Sequence, residues 1–278
     1  MNEMEKLRNA YKQDPRQSSV RILLMGQSGT GKTRLIGTSR KPVHIDSFDP
    51  GGTLTIRKFI NAGSIVADTA YELERPEKPS VFERWATDFE NRFKSGYFEK
   101  YIQTYVLDSS TKWADSIMNF VLKKNGMSGE APRFQDYNTQ KAIIQKCLSH
   151  ILTLPCDVIV TGHLTEEREK QVLEKGTKQA EFVDIVTGYK YFTVGQGAIT
   201  IPLLFDEKWI TVCETVGVRN KYSLITAPYN LYKASTRIGA DIFSSKEEPD
   251  ICKLLEKAGW PTDDKEQPIE SDDKESVK

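Results

Sequence analysis

The sequence predicts an α/β protein whose central sheet is mostly parallel, flanked by helices, with an antiparallel hairpin at one edge. Between residues 20 and 163, short apolar runs alternate with segments whose apolar residues recur every three or four positions. Such alternation of strands and helices is typical of a parallel sheet. Between residues 207 and 227, apolar side chains instead occupy alternate positions, which indicates antiparallel strands. A glycine-rich segment directly after the first apolar run joins strand to helix, as phosphate-binding turns do in such sheets.

Charge and composition limit the classes of function. Lys+Arg and Asp+Glu are equal at 39 each, so the chain has no global basic field, and any binding of nucleic acid must use a local patch. The amino-terminal segment is charged, and no apolar run reaches membrane-spanning length, which predicts a cytoplasmic protein without a membrane partner. The cysteines are scattered without C-x-x-C spacing, which favours free thiols over disulfides or a zinc site.

Three segments are predicted: 1–19, a charged helix and linker; 20–245, the folded core; and 246–278, a short helix and an acidic tail. The first helix is expected to end near Pro15, because proline interrupts helical hydrogen bonding. The last helix is expected over 250–258. From Thr262 onward, seven acidic residues stand against three lysines with no aromatic residue, a composition that predicts disorder.

In the first half of the core, strands are predicted at 20–25 and 42–45, and the second of them leads to Asp46. A helix is predicted over 80–95, where aromatic residues line one face. Core packing explains that face better than a cofactor-binding role. The aromatic residues are Phe82, Trp85, Phe89 and Phe93.

The second half of the core begins with a buried strand, 101–107, that ends at Asp108, and one of residues 109–111 is expected to cap the following helix. A loop rich in glycine, serine and proline covers 124–136. After a further helix, the strand 157–161 leads to His163. Residues 164–190 are polar, with lysine and glutamate interleaved, and predict an extended loop or a hairpin.

Residues 26–33 match the pattern G-x-x-x-x-G-K-[ST] in full. Glycines in this pattern let the backbone curl so that successive N–H groups point at a phosphate. Lys32 brings a positive charge to the β- and γ-phosphates, and Thr33 offers its hydroxyl to Mg²⁺. We therefore expect ATP and Mg²⁺ as cofactors. The predicted nucleotide-binding residues are Gly26, Gln27, Ser28, Gly29, Thr30, Gly31, Lys32, Thr33 and Arg34.

Asp108 is predicted to complete the metal site with Thr33. A phosphate loop of this kind is paired with a carboxylate at the end of a buried strand, which reaches Mg²⁺ through water. An aspartate in this position can also simply cap the next helix. Because the phosphate loop is present in the same chain, the metal role is favoured.

Hydrolysis further needs a group that positions the attacking water. Asp46 and Asp49 follow the second strand and are the predicted candidates, although Asp49 lies in Asp-Pro-Gly-Gly, where it can serve only to form a turn. His163 ends a strand at the edge where nucleotides bind, so we expect it to bond the γ-phosphate and report its loss to the segment beyond. A buried structural histidine is the alternative.

Taken in order, five motifs resemble those of the RecA-core ATPases, specifically the compact phage-encoded recombination proteins associated with single-strand annealing. The resemblance covers about residues 18–245. Only the first motif is shared by P-loop proteins at large, and the ordered set is narrower. The motifs are GQSGTGKT at 26–33, YVLDSS at 105–110, DVIVTGH at 157–163, KYSL at 221–224 and YKASTR at 232–237.

The resemblance implies a RecA-like fold in which the strand ending at His163 lies between those that carry Gly26 and Asp108. It implies that His163 is the γ-phosphate sensor, and that 124–136 and 164–190 take the places of the DNA-binding loops.

Assembly is also implied: a ring or filament with ATP at the subunit interface and a basic residue supplied in trans. Arg237, Lys233 and Lys221 are the candidates in this chain, and a surface arginine without such a role is the alternative for Arg237. A phage-encoded protein of this class would act in the cytoplasm of the host cell.

One departure from the family pattern concerns hydrolysis. The family carries a catalytic glutamate two residues after the aspartate that ends its second strand, whereas this chain has Phe48 there. Slow hydrolysis, or substitution by Asp49, is the expected consequence.

Single-stranded DNA is the partner that the resemblance implies, with a single-strand DNA-binding protein as a further one. Cations and aromatic rings near 164–190 suit that ligand through phosphate contacts and base stacking. Interleaved glutamates leave the segment little net charge, so a solvated hairpin is the alternative. The residues concerned are Arg168, Lys170, Lys175, Lys178, Lys190, Tyr189, Tyr191 and Phe192.

The leading hypothesis is therefore a DNA-stimulated ATPase of recombination or single-strand annealing. The alternative is a nucleotide-gated switch or assembly factor that hydrolyses ATP slowly and acts on a protein partner. A small-molecule kinase is disfavoured, because the sequence shows no lid of clustered arginines.

Overall fold

A mostly parallel sheet forms the centre of the protein. The computed structural model describes residues 2–173, 181–193 and 197–266. The predictions for Lys175, Lys178 and the tail beyond 266 lie outside these residues. The strands in those ranges are β1 (Arg21–Gly26), β2 (Val43–Ser47), β3 (Ile65–Asp68), β4 (Thr104–Asp108), β5 (Asp157–Gly162), β6 (Leu164–Leu173), β7 (Glu181–Tyr191), β8 (Glu207–Val216), β9 (Arg219–Ile225) and β10 (Lys246–Glu247).

The strand order is β10-β9-β8-β1-β5-β4-β2-β3. The pairs from β8 through to β3 are all parallel, whereas β9 pairs antiparallel with both β8 and β10. The predicted α/β fold, with a mostly parallel sheet and an antiparallel edge, is confirmed. So is the order of its centre: β5, which leads to His163, lies between β1 and β4, which carry Gly26 and Asp108. The edge strand β3 was not predicted.

Helices cover both faces of this sheet, and none in the described ranges is long and apolar enough to cross a lipid bilayer. The predicted loop 124–136 is shorter in the structure, since one helix continues to Lys124 and the next begins at Phe134. The helices are α1 (Glu3–Gln13), α2 (Lys32–Ile36), α3 (Arg57–Asn61), α4 (Val81–Lys94), α5 (Tyr97–Tyr101), α6 (Ser110–Lys124), α7 (Phe134–Ile151), α8 (Gly197–Thr200) and α9 (Ile251–Lys257).

Alternation along the strands gives the sheet two apolar faces. On one face α4, α5, α6 and α7 pack around Trp85, Phe89 and Trp113, which confirms core packing for three of the four aromatic residues of α4. The fourth, Phe93, is exposed. On the other face α2 and α9 pack against strand residues such as Ile45 and Trp209. The phosphate-loop helix α2 therefore rests on a fully apolar support.

The carboxyl-terminal segment lies partly against the core. Lys265 donates from its ammonium to the carbonyls of Glu99 and Ile102, and its backbone N–H donates to the carbonyl of Lys41. The prediction of disorder from Thr262 onward is therefore wrong for the first residues of the tail. These contacts cover the amino ends of the central strands, far from the edge where the phosphate loop lies.

Strands β6 and β7 form a separate two-stranded antiparallel sheet, which we call the ribbon. It confirms the hairpin predicted over 164–190. Because β6 begins at Leu164, immediately after His163, the ribbon starts at the carboxyl edge of the central sheet. Phe192, directly after β7, returns to this point and donates its N–H to the carbonyl of His163 at 2.8 Å.

Candidate nucleotide site

Residues 26–33 form a curled turn between β1 and α2, at the carboxyl edge of the sheet. Gly31 has φ +92°, a left-handed conformation that side chains disfavour, and a Cβ there would lie 3.2 Å from the Tyr222 ring. Within the described residues, the backbone N–H groups of Gly29, Gly31 and Lys32 donate to no protein acceptor. Donors left available in one concave turn fit a phosphate group.

The start of the turn is held against strand β8. A Cβ on Gly26 would lie 2.2 Å from the Thr211 hydroxyl and 2.9 Å from its carbonyl oxygen, so only glycine fits there. The Thr211 hydroxyl also lies 2.7 Å from that of Thr30. These contacts fix the turn in shape before any ligand arrives, which lowers the cost of ordering it on binding.

Lys32 places its ammonium inside the turn. Its Nζ donates to the carbonyls of Gly26 at 2.9 Å and Gln27 at 3.0 Å. Burial lowers the pKa of Lys32, while the Asp108 and Asp49 carboxylates act in the opposite direction. A cation held in the same turn as available backbone N–H donors is suited to bind β- and γ-phosphates.

Asp108 and Thr33 are brought together as predicted for a metal site. The Thr33 hydroxyl donates to Asp108 Oδ2 at 2.9 Å, and the Thr161 hydroxyl donates to Oδ1 at 2.5 Å. Burial raises the pKa of Asp108, and the two hydroxyl bonds partly offset that rise. A hydroxyl and a carboxylate oxygen beside a phosphate turn are hard donors that suit Mg²⁺, so the residues present fit this ion.

Asp46 does not belong to the cleft, and its predicted catalytic role is wrong. Its carboxylate is fully buried. Oδ1 accepts from Arg92 at 3.0 Å, and Oδ2 accepts from the Trp85 indole at 2.9 Å and the Tyr105 hydroxyl at 2.6 Å. With its oxygens held by core donors, Asp46 serves to neutralise Arg92 and cannot orient a water molecule against a phosphate.

Asp49 is the predicted acid that the structure does bring to the cleft. It is half-buried and lines the same cavity as Lys32, Asp108 and His163. No donor in the described residues forms a hydrogen bond with its carboxylate, which is therefore available to a water molecule. Phe48, where the resemblance implied a glutamate, points the other way and stacks on Tyr71 with ring centres 5.4 Å apart.

His163 lies in the cleft and also at the root of the ribbon. Its Nδ1 is 3.1 Å from the Thr111 hydroxyl, which fixes the orientation of the imidazole. Burial lowers the pKa of His163, and the nearby Lys32 charge lowers it further. The side chain is therefore neutral at physiological pH, with one ring nitrogen able to bond a phosphate oxygen.

The cavity has a volume of about 520 Å³, and one wall was not predicted as part of the site. Tyr222 on β9 lies over Gly31 and supplies the aromatic ring of the cleft. In the sequence Tyr222 stands in an edge strand and in the motif KYSL, and neither pattern assigned it to the nucleotide site. Gln27 and Thr30 face a neighbouring cavity beside β8. The predicted binding residues that line the cleft itself are Ser28, Gly29, Gly31, Lys32, Thr33 and Arg34.

Arg237 lies at the opposite edge of the sheet from the cleft. It donates to Asp206 at 2.7 Å, and the Asp206 N–H donates to Arg21, at the start of β1. Because Gly26 ends the same strand, the two edges are about 17 Å apart. Arg237 therefore cannot reach the cleft of the same chain.

The other candidates for a residue supplied in trans lie closer to the carboxyl edge. Lys221 is exposed on β9, next in sequence to Tyr222 and paired across the strands with Glu214. Lys233 donates to Glu167 on the ribbon at 2.6 Å.

The described part of the ribbon is not basic. It has three cationic residues, Arg168, Lys170 and Lys190, against five acidic ones, and Arg168 is bound to Glu166 through two nitrogens. Cations gather instead in a groove at the ribbon root, which we call the basal groove. It has a volume of about 230 Å³, and its lining includes Tyr189, Lys190, Ile199, Leu203, Lys208 and the ion pair of Lys233 with Glu167.

Comparison with known proteins gives one family and a set of folds. The model of a family described as an AAA domain matches residues 18–191. No curated protein has significant similarity to the sequence.

Two crystal structures illustrate the similar folds. A KaiC-like protein from the hyperthermophilic archaeon Pyrococcus horikoshii is 13% identical, with a TM-score of 0.39 over 78% of this chain and 83% of the other. The flagellar accessory protein FlaH from Methanocaldococcus jannaschii is 12% identical, with a TM-score of 0.41 over 82% and 83%.

Proposed function

The chain belongs to the AAA domain family, and on that premise we propose a Mg²⁺-dependent ATPase that binds single-stranded DNA as an oligomer in recombination or strand annealing. Nucleotide binding and hydrolysis follow from the P-loop fold of the family. The observation that carries the proposal is the contact of Thr33 with Asp108 beside the buried Lys32 ammonium. The Thr33 hydroxyl, the Asp108 carboxylate and the Lys32 ammonium lie in one cavity, at the edge of the sheet where ATP binds in such folds.

Each residue of the cleft has a distinct task in this reaction. The turn and Lys32 bind the phosphates and hold the γ-phosphoryl group in place. When bound, Mg²⁺ neutralises charge on the β- and γ-phosphates. Asp49 orients the attacking water and accepts its proton, while His163 donates to the γ-phosphate oxygen.

Nucleotide occupancy can be communicated to the ribbon through His163. The histidine side chain lines the cleft, its own carbonyl accepts from Phe192, and Leu164 directly after it begins β6. Loss of the γ-phosphate removes the partner of the imidazole at the point where both ribbon strands are attached. Hydrolysis would then change the ribbon's position, as in other nucleotide-gated segments.

Tyr222 supports the binding of the base rather than the chemistry. A purine stacked on an aromatic ring is stabilised by about 1–3 kcal/mol. We expect Tyr222→Ala to weaken binding of a fluorescent ATP analogue about tenfold at saturating Mg²⁺, whereas Tyr222→Phe, which keeps the ring, binds as the native chain does. Tyr137→Ala on α7 is the matched control. Equal affinity of the native and Tyr222→Ala chains would contradict the stacking role.

DNA binding is proposed at the basal groove. Tyr189 stacks on Tyr232 with ring centres 5.0 Å apart and nearly parallel planes, and Lys190, Lys208 and Lys233 line the groove beside them. Aromatic rings among lysines suit a single strand, because rings stack on bases and ammonium groups contact phosphates. The groove adjoins His163 through Leu164, so ATP and DNA would be sensed by neighbouring residues.

We expect a fluorescein-labelled oligothymidylate to bind in the presence of Mg²⁺ and ATP, to stimulate hydrolysis, and to dissociate as salt rises. The double variant Lys190→Glu, Lys208→Glu should bind more weakly, and its slope of log affinity against log salt should be smaller by about 2. Lys146→Glu, on the exposed side of α7, serves as the matched control. ATP hydrolysis that ignores DNA, together with no binding of the oligonucleotide, would reject the DNA role.

A switch that acts on a protein is the second candidate, and one observation favours it. Val183 and Ile185 are exposed on the ribbon, each at 39% of full exposure, on a surface whose charge is not basic. Exposed branched side chains on a projecting element are typical of protein contacts. The DNA experiment separates the two, because a switch would hydrolyse ATP slowly whether or not DNA is present.

Assembly is proposed with ATP at the interface between subunits. Arg237 lies at the opposite edge of the sheet from the turn, and the two edges are about 17 Å apart along β1, so only a neighbouring copy could receive it. Head-to-tail contact would place the amino edge of one sheet against the carboxyl edge of the next and generate a ring or filament. A single-strand DNA-binding protein is a further proposed partner.

A further inference from the structure

We propose that Glu72 is the positioning residue for the water-activating acid Asp49, an inference that rests on the proposed hydrolysis of ATP. Glu72 follows the edge strand β3 and binds both sides of the turn that carries Asp49. Its Oε1 accepts from the Ser47 hydroxyl at 2.8 Å, and its Oε2 accepts from the Gly51 N–H at 3.1 Å. One carboxylate therefore connects the end of β2 to the far side of the turn.

The turn needs such a support because Asp49 has none of its own. No hydrogen bond to the Asp49 carboxylate exists within the described residues, so its place in the cleft is set by the backbone alone. Before Asp49, the Phe48 N–H donates to the Asp108 carbonyl at 2.6 Å, and after it the Gly52 N–H donates to the Asp49 carbonyl at 2.9 Å. Gly51 has φ +73°, a conformation that glycine tolerates without holding. The Phe48 bond holds the near side of the turn, and the bond from the Gly51 N–H to Glu72 holds its far side.

Glu72 is itself well anchored. Its N–H donates to the carbonyl of Thr69 at 3.2 Å, which closes the turn after β3. The preceding residue, Tyr71, is buried, stacks on Phe48 and donates its hydroxyl to Asp88 on α4 at 2.9 Å. Phe48 therefore packs against the segment that carries Glu72 and helps to hold it in place.

This arrangement explains how Asp49 can take the role of an acid at position 48, where this chain has Phe48. Side chains alternate along an extended backbone, so Phe48 enters the core on the side of Asp46 while Asp49 turns toward the cleft. Glu72 does not line that cleft, and both of its oxygens are occupied by the turn. Its contribution is therefore to position Asp49 and not to contact the reacting atoms.

The test compares Glu72→Ala, Glu72→Gln, Asp49→Asn and the double variant Glu72→Ala, Asp49→Asn. We expect Glu72→Ala to lower kcat by about 10- to 100-fold, because displacement of a reacting group by about 1 Å has effects of this size. Binding of a fluorescent ATP analogue should change less than about twofold, since the phosphate turn is untouched. Glu72→Gln keeps one acceptor oxygen and should lose less activity than Glu72→Ala.

The double variant shows whether Glu72 acts through Asp49. If Glu72 acts through Asp49, the double variant hydrolyses ATP at the rate of Asp49→Asn alone, because no further loss remains. Glu77→Gln, exposed in the same segment, is the control for changes of charge. Thermal unfolding of each variant shows that the fold is intact, and Glu72→Gln serves if the alanine variant does not fold.

Two results would overturn this inference. One is a native kcat in the folded Glu72 variants, and the other is multiplicative loss in the double variant. Failure of the proposed function is distinguishable from both, because the native chain itself would then bind or hydrolyse no ATP.

Discussion

Replacement of Lys32 by alanine is expected to lower ATP hydrolysis by at least about 100-fold and to weaken binding of Mg²⁺-ATP. The ammonium lies inside the phosphate turn, bonded to the carbonyls of Gly26 and Gln27, and no other cation occupies that position in the described chain. Its removal leaves the phosphate charge to the backbone N–H groups. Steady-state phosphate release and titration with a fluorescent ATP analogue measure the two effects.

Two further variants make the result specific. Lys32→Arg keeps the charge but brings a planar, larger group into a buried turn, so it should not restore hydrolysis. Lys58→Ala, on α3, removes a lysine outside the cleft and should behave as the native chain. If Lys32→Ala retained native affinity and rate with a native circular dichroism spectrum, the assignment of residues 26–33 as the nucleotide site would be wrong.

The phosphate turn and the metal pair could be predicted because their information is local. Glycines, Lys32 and Thr33 occupy fixed spacings within eight residues. Asp108 follows an apolar run whose composition alone predicts that it is buried. A parallel sheet then brings the carboxyl ends of such strands together without further detail. The sequence therefore specified which side chains would meet, and the structure confirms that Thr33 and Asp108 do.

The choice between Asp46 and Asp49 could not be made from sequence, because distant residues decide it. Asp46 is buried by donors that approach from α4 and β4, among them Arg92 and Tyr105. The sequence around position 46 does not show that these donors lie close to Asp46 or that they bond its carboxylate. The same holds for Glu72, which reaches Asp49's turn across 21 residues, and for Tyr222, which reaches Gly31 from the opposite end of the chain.

Asp108→Asn is expected to have opposite effects on activity and on stability. The amide removes the charge that attracts Mg²⁺, and its NH₂ group faces a hydroxyl that now donates to the carboxylate, so ATP hydrolysis should fall by about 100-fold or more. The Mg²⁺ concentration that gives half-maximal hydrolysis should be higher than for the native chain. Binding of the nucleotide through the turn and Lys32 should persist in part.

Stability should not fall, because the native carboxylate is costly where it lies. Burial raises the pKa of Asp108 above its value in the unfolded chain, so the folded state holds this proton more tightly. The associated stabilisation is present below the unfolded pKa and is lost as pH rises through the folded one. At neutral pH the ionised group therefore opposes folding, and a neutral amide removes that opposition.

The expected result is a midpoint of thermal unfolding at pH 7 equal to or above that of the native chain, with the difference shrinking as pH is lowered toward 4. Asp115→Asn, exposed on α6, is the matched control and should change neither activity nor the midpoint. A large fall in the midpoint together with lost activity would show that Asp108 holds the fold through Thr33 and Thr161 and would remove the argument for a metal role. A preserved unfolding midpoint together with weaker dependence of hydrolysis on Mg²⁺ would distinguish a metal-binding role of Asp108 from a structural one. A purely structural residue is not expected to show that combination.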